Sequence, residues 1–258
     1  MSEHPAYAQL RPVTETASVL LCENPGIMTL DGTNTWVLRG PGSAEVVIVD
    51  PGPEDDDGHI DRIAAVGTVS LVLISHRHAD HTGGIDKLVD RTGAVVRSVG
   101  SGFLRGLGGP LRDGEVIDAA GLRITVMATP GHTADSLSFV IDDAVLTADT
   151  VLGRGTTVID REDGSLGDYL ESLRRLQVLG HRTVLPGHGP ELDDLVAVTQ
   201  YYLDHREERL EQVRAALAAL GDDATARQIV EHVYTDVDET LWDAAEWSVQ
   251  AQLDYLHS

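Results

Sequence analysis

Between positions 75 and 81 the chain reads Ser-His-Arg-His-Ala-Asp-His, which puts His76, His78, Asp80 and His81 into six consecutive positions. The stretch follows the apolar run Leu71 to Ile74 and precedes a Thr82-Gly83-Gly84 step into a helical pattern. Four metal-ligating side chains therefore share one strand-to-helix loop. Imidazole suits zinc and other late divalent metals, and a loop can aim alternate side chains at two centres, which a His pair on a single helix face cannot. Only eleven histidines occur in 258 residues, so a polar loop in which three coincide with an Asp by chance is the weaker explanation. The fold must present this loop at an edge, with further ligands brought to it.

A chain of this length buries a substantial core, as one large domain or as a main domain with a small appendage. Charge narrows the partners: 42 Asp and Glu against 19 Lys and Arg give a net of -23, which disfavours non-specific binding to nucleic acid or to an anionic membrane. Cys22 is the only cysteine, so an intramolecular disulfide is excluded, and its place at the end of an apolar segment suits a small core residue. Met1 to Pro12 lacks a basic start followed by an apolar core, and the chain has no apolar run of membrane length. The expected location is the cytoplasm.

The chain opens with a strand expected from Val13 to Cys22, broken by Asn24-Pro25-Gly26. A small polar loop then leads to a strand at Trp36-Val37-Leu38, and Val46-Val47-Ile48-Val49 reads as a buried strand ending at Asp50-Pro51-Gly52. A short helix follows with apolar positions Ile60, Ile63, Ala64 and Val66, then the histidine loop, a helix bearing Ile85, Leu88 and Val89, and a strand over Ala94 to Val99. Gly100 to Gly114 reads either as a lid over a site or as a plain connector. Short strands at Val116-Ile117, Leu122 to Ala128, Leu137 to Ile141 and Val145-Leu146 precede a helix capped by Ser165 and Asp168. After a last strand at Val184-Leu185 the pattern is helical. One long amphipathic segment runs from Asp193 to Leu220, with Arg206, Glu207, Glu208 and Arg209 on its outer side, and shorter helices cover Ala226 to Tyr234 and Glu239 to Leu256. The expected division is a catalytic domain over 1–192 and a helical appendage over 193–258.

Two metal ions need more ligands than one loop supplies, because each wants about four and one position must stay open. Three residues directly follow apolar strand-like runs: His132 in Thr129-Pro130-Gly131-His132-Thr133, Asp149 in Leu146-Thr147-Ala148-Asp149-Thr150, and His188 in Leu185-Pro186-Gly187-His188-Gly189. His4, His59, His181, His205, His232 and His257 lack that context and read as ordinary surface residues.

The His-x-His-x-Asp-His loop with the later His132, Asp149 and His188, and Asp50 after the Val46 to Val49 strand, resemble the metallo-beta-lactamase superfamily over about Val13 to Pro190. The resemblance implies a four-layer αββα α/β sandwich with metals at one edge. It implies that His76, His78 and His132 hold one ion, that Asp80, His81 and His188 hold the other, and that Asp149 bridges. The cofactors implied are two divalent ions, zinc first, with manganese or iron as alternatives. Asp149 stands where thiolate-containing antibiotic-cleaving members carry Cys, and His78 where diiron flavoproteins carry Glu. Asn24-Pro25-Gly26, Leu30 to Trp36 and the tail Ile229 to Leu256 resemble the beta-lactamase-like protein 2 group, which includes a single-stranded RNA endonuclease. The tail resembles that group's winged helix in incomplete form, without an obvious wing hairpin.

In such a centre a metal-bridged hydroxide attacks a carbonyl or phosphoryl group, Asp80 orients it and passes a proton to the leaving group, and Asp50 fixes the loop from behind or serves the Pro51-Gly52 turn. Thr33, Asn34 and Thr35, in a loop near the metal edge of relatives, are candidate substrate contacts or a structural turn, and Arg154 is a further candidate contact. Three functions follow as expectations. The first is a hydrolase of phosphodiesters such as single-stranded RNA, with Arg97, Arg105, Arg112 and Arg154 as local positive charge. The second is a glyoxalase-II-like hydrolase of a small thioester, lactone or other acyl substrate. The third is a non-catalytic metal-binding protein whose tail recruits a partner, against which the complete ligand set speaks. Oligomeric state is not read from the sequence.

Overall fold

The computed structural model describes residues 5–221, 223–235 and 238–257. His4, placed above among the surface histidines, lies outside the described residues.

Six strands form one sheet in chain order: β1 (Leu10–Pro12), β2 (Ala17–Leu21), β3 (Asn34–Leu38), β4 (Glu45–Val49), β5 (Thr68–Leu73) and β6 (Val95–Arg97). The first four pair antiparallel, whereas β4, β5 and β6 run parallel. The strand expected from Val13 to Cys22 is shorter, β2 alone, with the separate strand β1 before it and residues 13–16 in the turn between the two. The Thr14 hydroxyl accepts from the backbone N–H of Thr16 and Ala17 and turns the chain between them. The second sheet has the order β11-β10-β9-β8-β7, built from β7 (Val116–Ala119), β8 (Leu122–Ala128), β9 (Leu137–Val140), β10 (Ala144–Ala148) and β11 (Thr183–Pro186), with only β10 and β11 parallel.

Why the apolar run at Val46 to Val49 is continuous follows from alternation along the strand. Val47 and Val49 face the second sheet, in a core with Trp36, Phe139, Ile124 and Leu185. Val46 and Ile48 face the opposite way, against Ile60 and Ile63 of α1 (Asp57–Ala65) and Ile85 and Leu88 of α3 (Ile85–Thr92). On the far side, Val145 and Val184 pack against Leu166, Leu170 and Leu173 of α4 (Leu166–Gln177) and Tyr202 of α5 (Leu195–Leu220). Each sheet is thus apolar on both faces, and helix, sheet, sheet and helix stack as four layers.

Helix α5 spans two cores. Its first half belongs to the body, and Val213 and Ala216 lie in a separate cluster with Ile229, Val230, Tyr234, Val249 and Leu253. That cluster joins α6 (Ala226–Val233), capped by the Thr225 and Gln228 box, to α7 (Trp242–His257). Among the described residues the regular structure after β11 is helical throughout. Arg206 does not lie on the outer side of α5 with Glu207 and Glu208. It is buried, four positions from both Tyr202 and Leu210 on the inward stripe. The 100–114 segment is fastened to β6: Arg105 pairs with Val96, and the Arg97 guanidinium donates to the carbonyls of Gly109 and Pro110. No helix among the described residues is long and apolar enough to cross a membrane.

Candidate metal centre

Parallel pairing places the C-terminal ends of β4 and β5 side by side, with Val49 opposite Leu73, and those of β10 and β11 likewise, with Ala148 opposite Pro186. Strand β8 runs in the direction of β10, because each is antiparallel to β9. One edge of the two sheets therefore receives the turns after five strands, which carry Asp50, the 75–81 loop, His132, Asp149 and His188. Between β5 and α3 the loop forms a single helical turn, α2 (Ala79–Thr82).

Two groups of ligand atoms converge there, His76, His78, His132 and Asp149 in one and Asp80, His81 and His188 in the other. His78 Nδ1 lies 3.0 Å from His76 Nε2 and 3.1 Å from His132 Nε2. In the second group the Nε2 atoms of His81 and His188 are 3.3 Å apart, and Asp80 Oδ2 is 3.3 and 3.2 Å from them. Asp149 reaches both groups: Oδ2 is 3.7 Å from His132 Nε2 and 3.3 Å from His188 Nε2, and Oδ1 is 3.5 Å from His81 Nε2.

The partners of the outward ring nitrogens decide which atoms carry hydrogen. Ser75 Oγ donates to Asp50 Oδ2 at 2.6 Å and so accepts from His76 Nδ1 at 2.9 Å. His81 Nδ1 donates to Asp50 Oδ2 at 2.9 Å, His132 Nδ1 to the Val158 carbonyl at 2.7 Å, and His188 Nδ1 to the Gly32 carbonyl at 3.1 Å. His78 is turned over, with Nε2 donating to Asp160 Oδ2 at 2.9 Å. All five inward nitrogens are then lone pairs in the neutral rings. They face two carboxylates, and Asp149 Oδ1 is buried with no hydrogen-bond partner. Only cations satisfy such a set, so these residues fit a pair of divalent ions.

Electrostatics point the same way. Burial, then the charge of neighbouring His81, holds His76 well below the ordinary histidine pKa, and burial lowers His132. Against its burial, His81 is raised well above the ordinary value by Asp80, Asp149 and Asp50, and His188 is raised to about 9 by Asp149 and Asp80. Both carboxylates are depressed, against their own burial, chiefly by His81 for Asp80 and His188 for Asp149. Protons on His81 and His188 thus stand in for the positive charge that the cluster requires.

Backbone geometry sharpens the site. Asp50 adopts φ 58°, a left-handed conformation open to few residues besides Gly, Asn and Asp, and in it the carboxylate receives Ser75 N at 2.8 Å as well as Ser75 Oγ and His81. It serves the histidine loop from behind rather than the Pro51-Gly52 turn. Gly187 admits no side chain, since a Cβ there would sit 2.3 Å from Asp149 Oδ1.

Thr33 Oγ1, itself held by Asn24 Nδ2, donates to Asp80 Oδ2 at 3.2 Å. Asn34 and Thr35 are buried. The Asn34 amide donates to the carbonyls of Pro186 and Gly189, and Thr35 Oγ1 donates to the Asp50 carbonyl and accepts from His59 Nε2. Both position loops. Arg154 forms a two-pronged pair with Asp31 at the surface. His59, expected at the surface, is buried, and its i,i+4 spacing to Ile63 marked the inward face of α1. Asp160 is the contact that sequence reasoning passed over, because it stands in an Asp-Arg-Glu-Asp run that resembles a solvated turn. Of the candidate ligands, His78 and Asp80 keep about a quarter of their side chains exposed, so the centre opens between them.

The metallo-beta-lactamase superfamily profile matches residues 28–188, and that of a beta-lactamase associated winged helix domain matches residues 225–258. The chain is 35% identical over 222 residues to a lactamase-like protein of Penicillium aethiopicum, covering 84% of this chain and 69% of that one. It is 30% identical over 250 residues to a beta-lactamase-like protein 2 homolog of Caenorhabditis elegans, covering 90% and 82%. Its fold matches a beta-lactamase domain protein from Burkholderia ambifaria with a TM-score of 0.82 at 21% identity, over 98% of this chain and 89% of that one.

Proposed function

The chain belongs to the metallo-beta-lactamase superfamily and is a metal-dependent hydrolase of that family, and from that premise we propose that it cleaves a small acyl substrate, a thioester or lactone, at a dinuclear centre. In this reading His76, His78 and His132 hold one ion, Asp80, His81 and His188 the other, and Asp149 both. The donor set is nitrogen and oxygen without thiolate, which suits zinc and also admits manganese or iron. Two such ions supply a Lewis acid and lower the pKa of a water to near neutrality.

The chain's own residues do the rest. Asp80, exposed at the cleft and held by Thr33, receives the proton of the attacking water and delivers it to the departing thiol or alcohol. Asp50 and Asp160 keep His81 and His78 in the tautomers that leave their inner nitrogens free. The body, 1–192, carries this chemistry, and the appendage, 193–258, shapes the approach.

The observation that carries the acyl reading is the charge beside the centre. A recess of about 480 Å³ shares Asp160 with the centre and is lined also by Arg161, Asp243, Glu246, Trp247 and Asp254. Four carboxylates against one guanidinium repel a polyanion. Three of the four arginines that would attract one are engaged, Arg97 with Glu115, Arg105 with Asp86 and Arg154 with Asp31, while Arg112 makes no ion pair among the described residues. Single-stranded RNA is the second reading, favoured by Arg161, which lines the recess and makes no ion pair among the described residues.

The test sets thioester and lactone panels beside end-labelled single-stranded RNA, using metal-loaded protein and Asp80→Ala. Acyl turnover lost in Asp80→Ala and unchanged in moderate salt supports the proposal. RNA cleavage that falls steeply with added salt, without acyl turnover, overturns it.

A further inference from the structure

Beyond the metal centre, one recess runs against the charge of the whole chain. It measures about 200 Å³ and lies between α5, the 156–158 segment and the tail, lined by Thr157, His205, Arg206, Arg209, Tyr234 and Ser248. Arg206 is only 3% exposed, yet it makes no ion pair among the described residues, in a protein with 42 acidic side chains. Its guanidinium lies over the Tyr169 ring at 5.1 Å, and Nη2 donates to the Thr157 carbonyl. Its Nε is buried with no hydrogen-bond partner. Arg209 stacks on Tyr234 at 4.8 Å and donates to Gln212 Oε1 at 2.8 Å, also without a carboxylate. His205 senses both charges: burial, then Arg206 and Arg209, lower its pKa.

Burying a guanidinium, which has five donors, is costly unless an anion compensates it. Among the described residues no carboxylate pairs with Arg206 or Arg209 here, although carboxylates abound elsewhere on the surface. We propose that this recess binds a small oxyanion, a carboxylate or a phosphate group, between Arg206 and Arg209, as a site separate from the metal centre.

The two sites share one short segment. The Thr157 carbonyl meets Arg206, the Thr157 hydroxyl donates to the Asp149 carbonyl at 2.8 Å, and the Val158 carbonyl holds His132. An anion on Arg206 thus braces the backbone behind two metal ligands, and through Tyr234 and Ser248 it fastens the tail to α5.

Calorimetric titration of the metal-loaded full-length protein tests this, with inorganic phosphate in one arm and malonate in the other, chloride keeping ionic strength constant. Saturable binding of either anion is expected, and the arm that saturates identifies the chemistry. Arg206→Gln and Arg209→Gln are each expected to weaken it by about tenfold or more, the loss of a charge-assisted hydrogen bond. Arg209 is half-exposed, so Arg209→Gln carries the test should Arg206→Gln fail to fold. Binding of undiminished strength in Arg209→Gln places the anion elsewhere, the metal centre included, and overturns the proposal. So does the failure of both anions to bind more tightly than about 10 mM.

Discussion

Asp160 Oδ2 accepts from His78 Nε2 at 2.9 Å across 82 positions of sequence, while Asp160 Oδ1 meets the Arg77 guanidinium at 2.8 Å. The Asp160 N–H also donates to the His132 carbonyl at 2.9 Å. One residue therefore fixes the tautomer of a candidate metal ligand through its carboxylate and ties the histidine loop, through its backbone N–H, to the turn that holds another.

Asp160→Ala is expected to keep the fold and to lower metal affinity by about 10- to 100-fold, the usual cost of losing such a partner. Competition with a chromophoric chelator measures it. Unchanged affinity in Asp160→Ala would mean that His78 is oriented by its own loop alone.

The Thr33 contact to Asp80 separates holding metal from moving protons. Thr33→Val should leave both ions bound and reduce kcat by about tenfold, whereas Asp80→Ala should reduce it by about 100- to 10,000-fold. Metal analysis and steady-state kinetics on the same preparations decide this, and loss of metal from Thr33→Val would assign the hydroxyl to binding instead.

Metal uptake should release protons. In the metal-free centre His81 and His188 are raised above the ordinary histidine value, His188 to about 9, so both are protonated at neutral pH and a cation must displace those protons. Apparent affinity then rises with pH up to about 9. Titrations at pH 7 in buffers of different ionisation enthalpy should show about two protons released per filled centre. Zero release would refute the assignment of charge to this pair.

His59 makes stability depend on pH in the acid range. Burial lowers its pKa from the ordinary 6.5 to about 4, so between those values the unfolded chain binds a proton that the folded chain refuses. Stability is complete above about pH 6.5 and falls as pH drops towards 4, by about 3 kcal/mol from this group. Urea unfolding of the wild type and of His59→Gln, in which the amide can replace the donor to Thr35, should differ in pH slope across that window. Parallel slopes would show that His59 is not the titrating group.

The convergence of the candidate ligands was legible because every member advertises its position. His132, Asp149 and His188 each follow an apolar strand run, and Gly131 and Gly187 precede two of them where the backbone packs too closely for a side chain. The four layers were expected from the family resemblance, and the unbroken apolar run Val46 to Val49 marked a buried strand, which the structure buries on both faces. Arg206 and His59 were misjudged for a common reason. A polar residue on the inward stripe of a helix differs from one on the outward face only by its spacing to neighbours such as Leu210 and Ile63, and residue type outweighed spacing.

By itself, then, the sequence determined which side chains are available to bind metal and which segments deliver them, since ligand chemistry and strand periodicity are local properties. Tertiary structure alone decided where the hydrogens sit. That four of the five inward nitrogens are the ones left for a cation depends on Asp50, Val158, Asp160 and Gly32 meeting ring atoms of residues up to 156 positions away. Hydrogen bonds act over about 3 Å, so no pattern along the chain encodes which acceptor reaches which ring until the two sheets have packed.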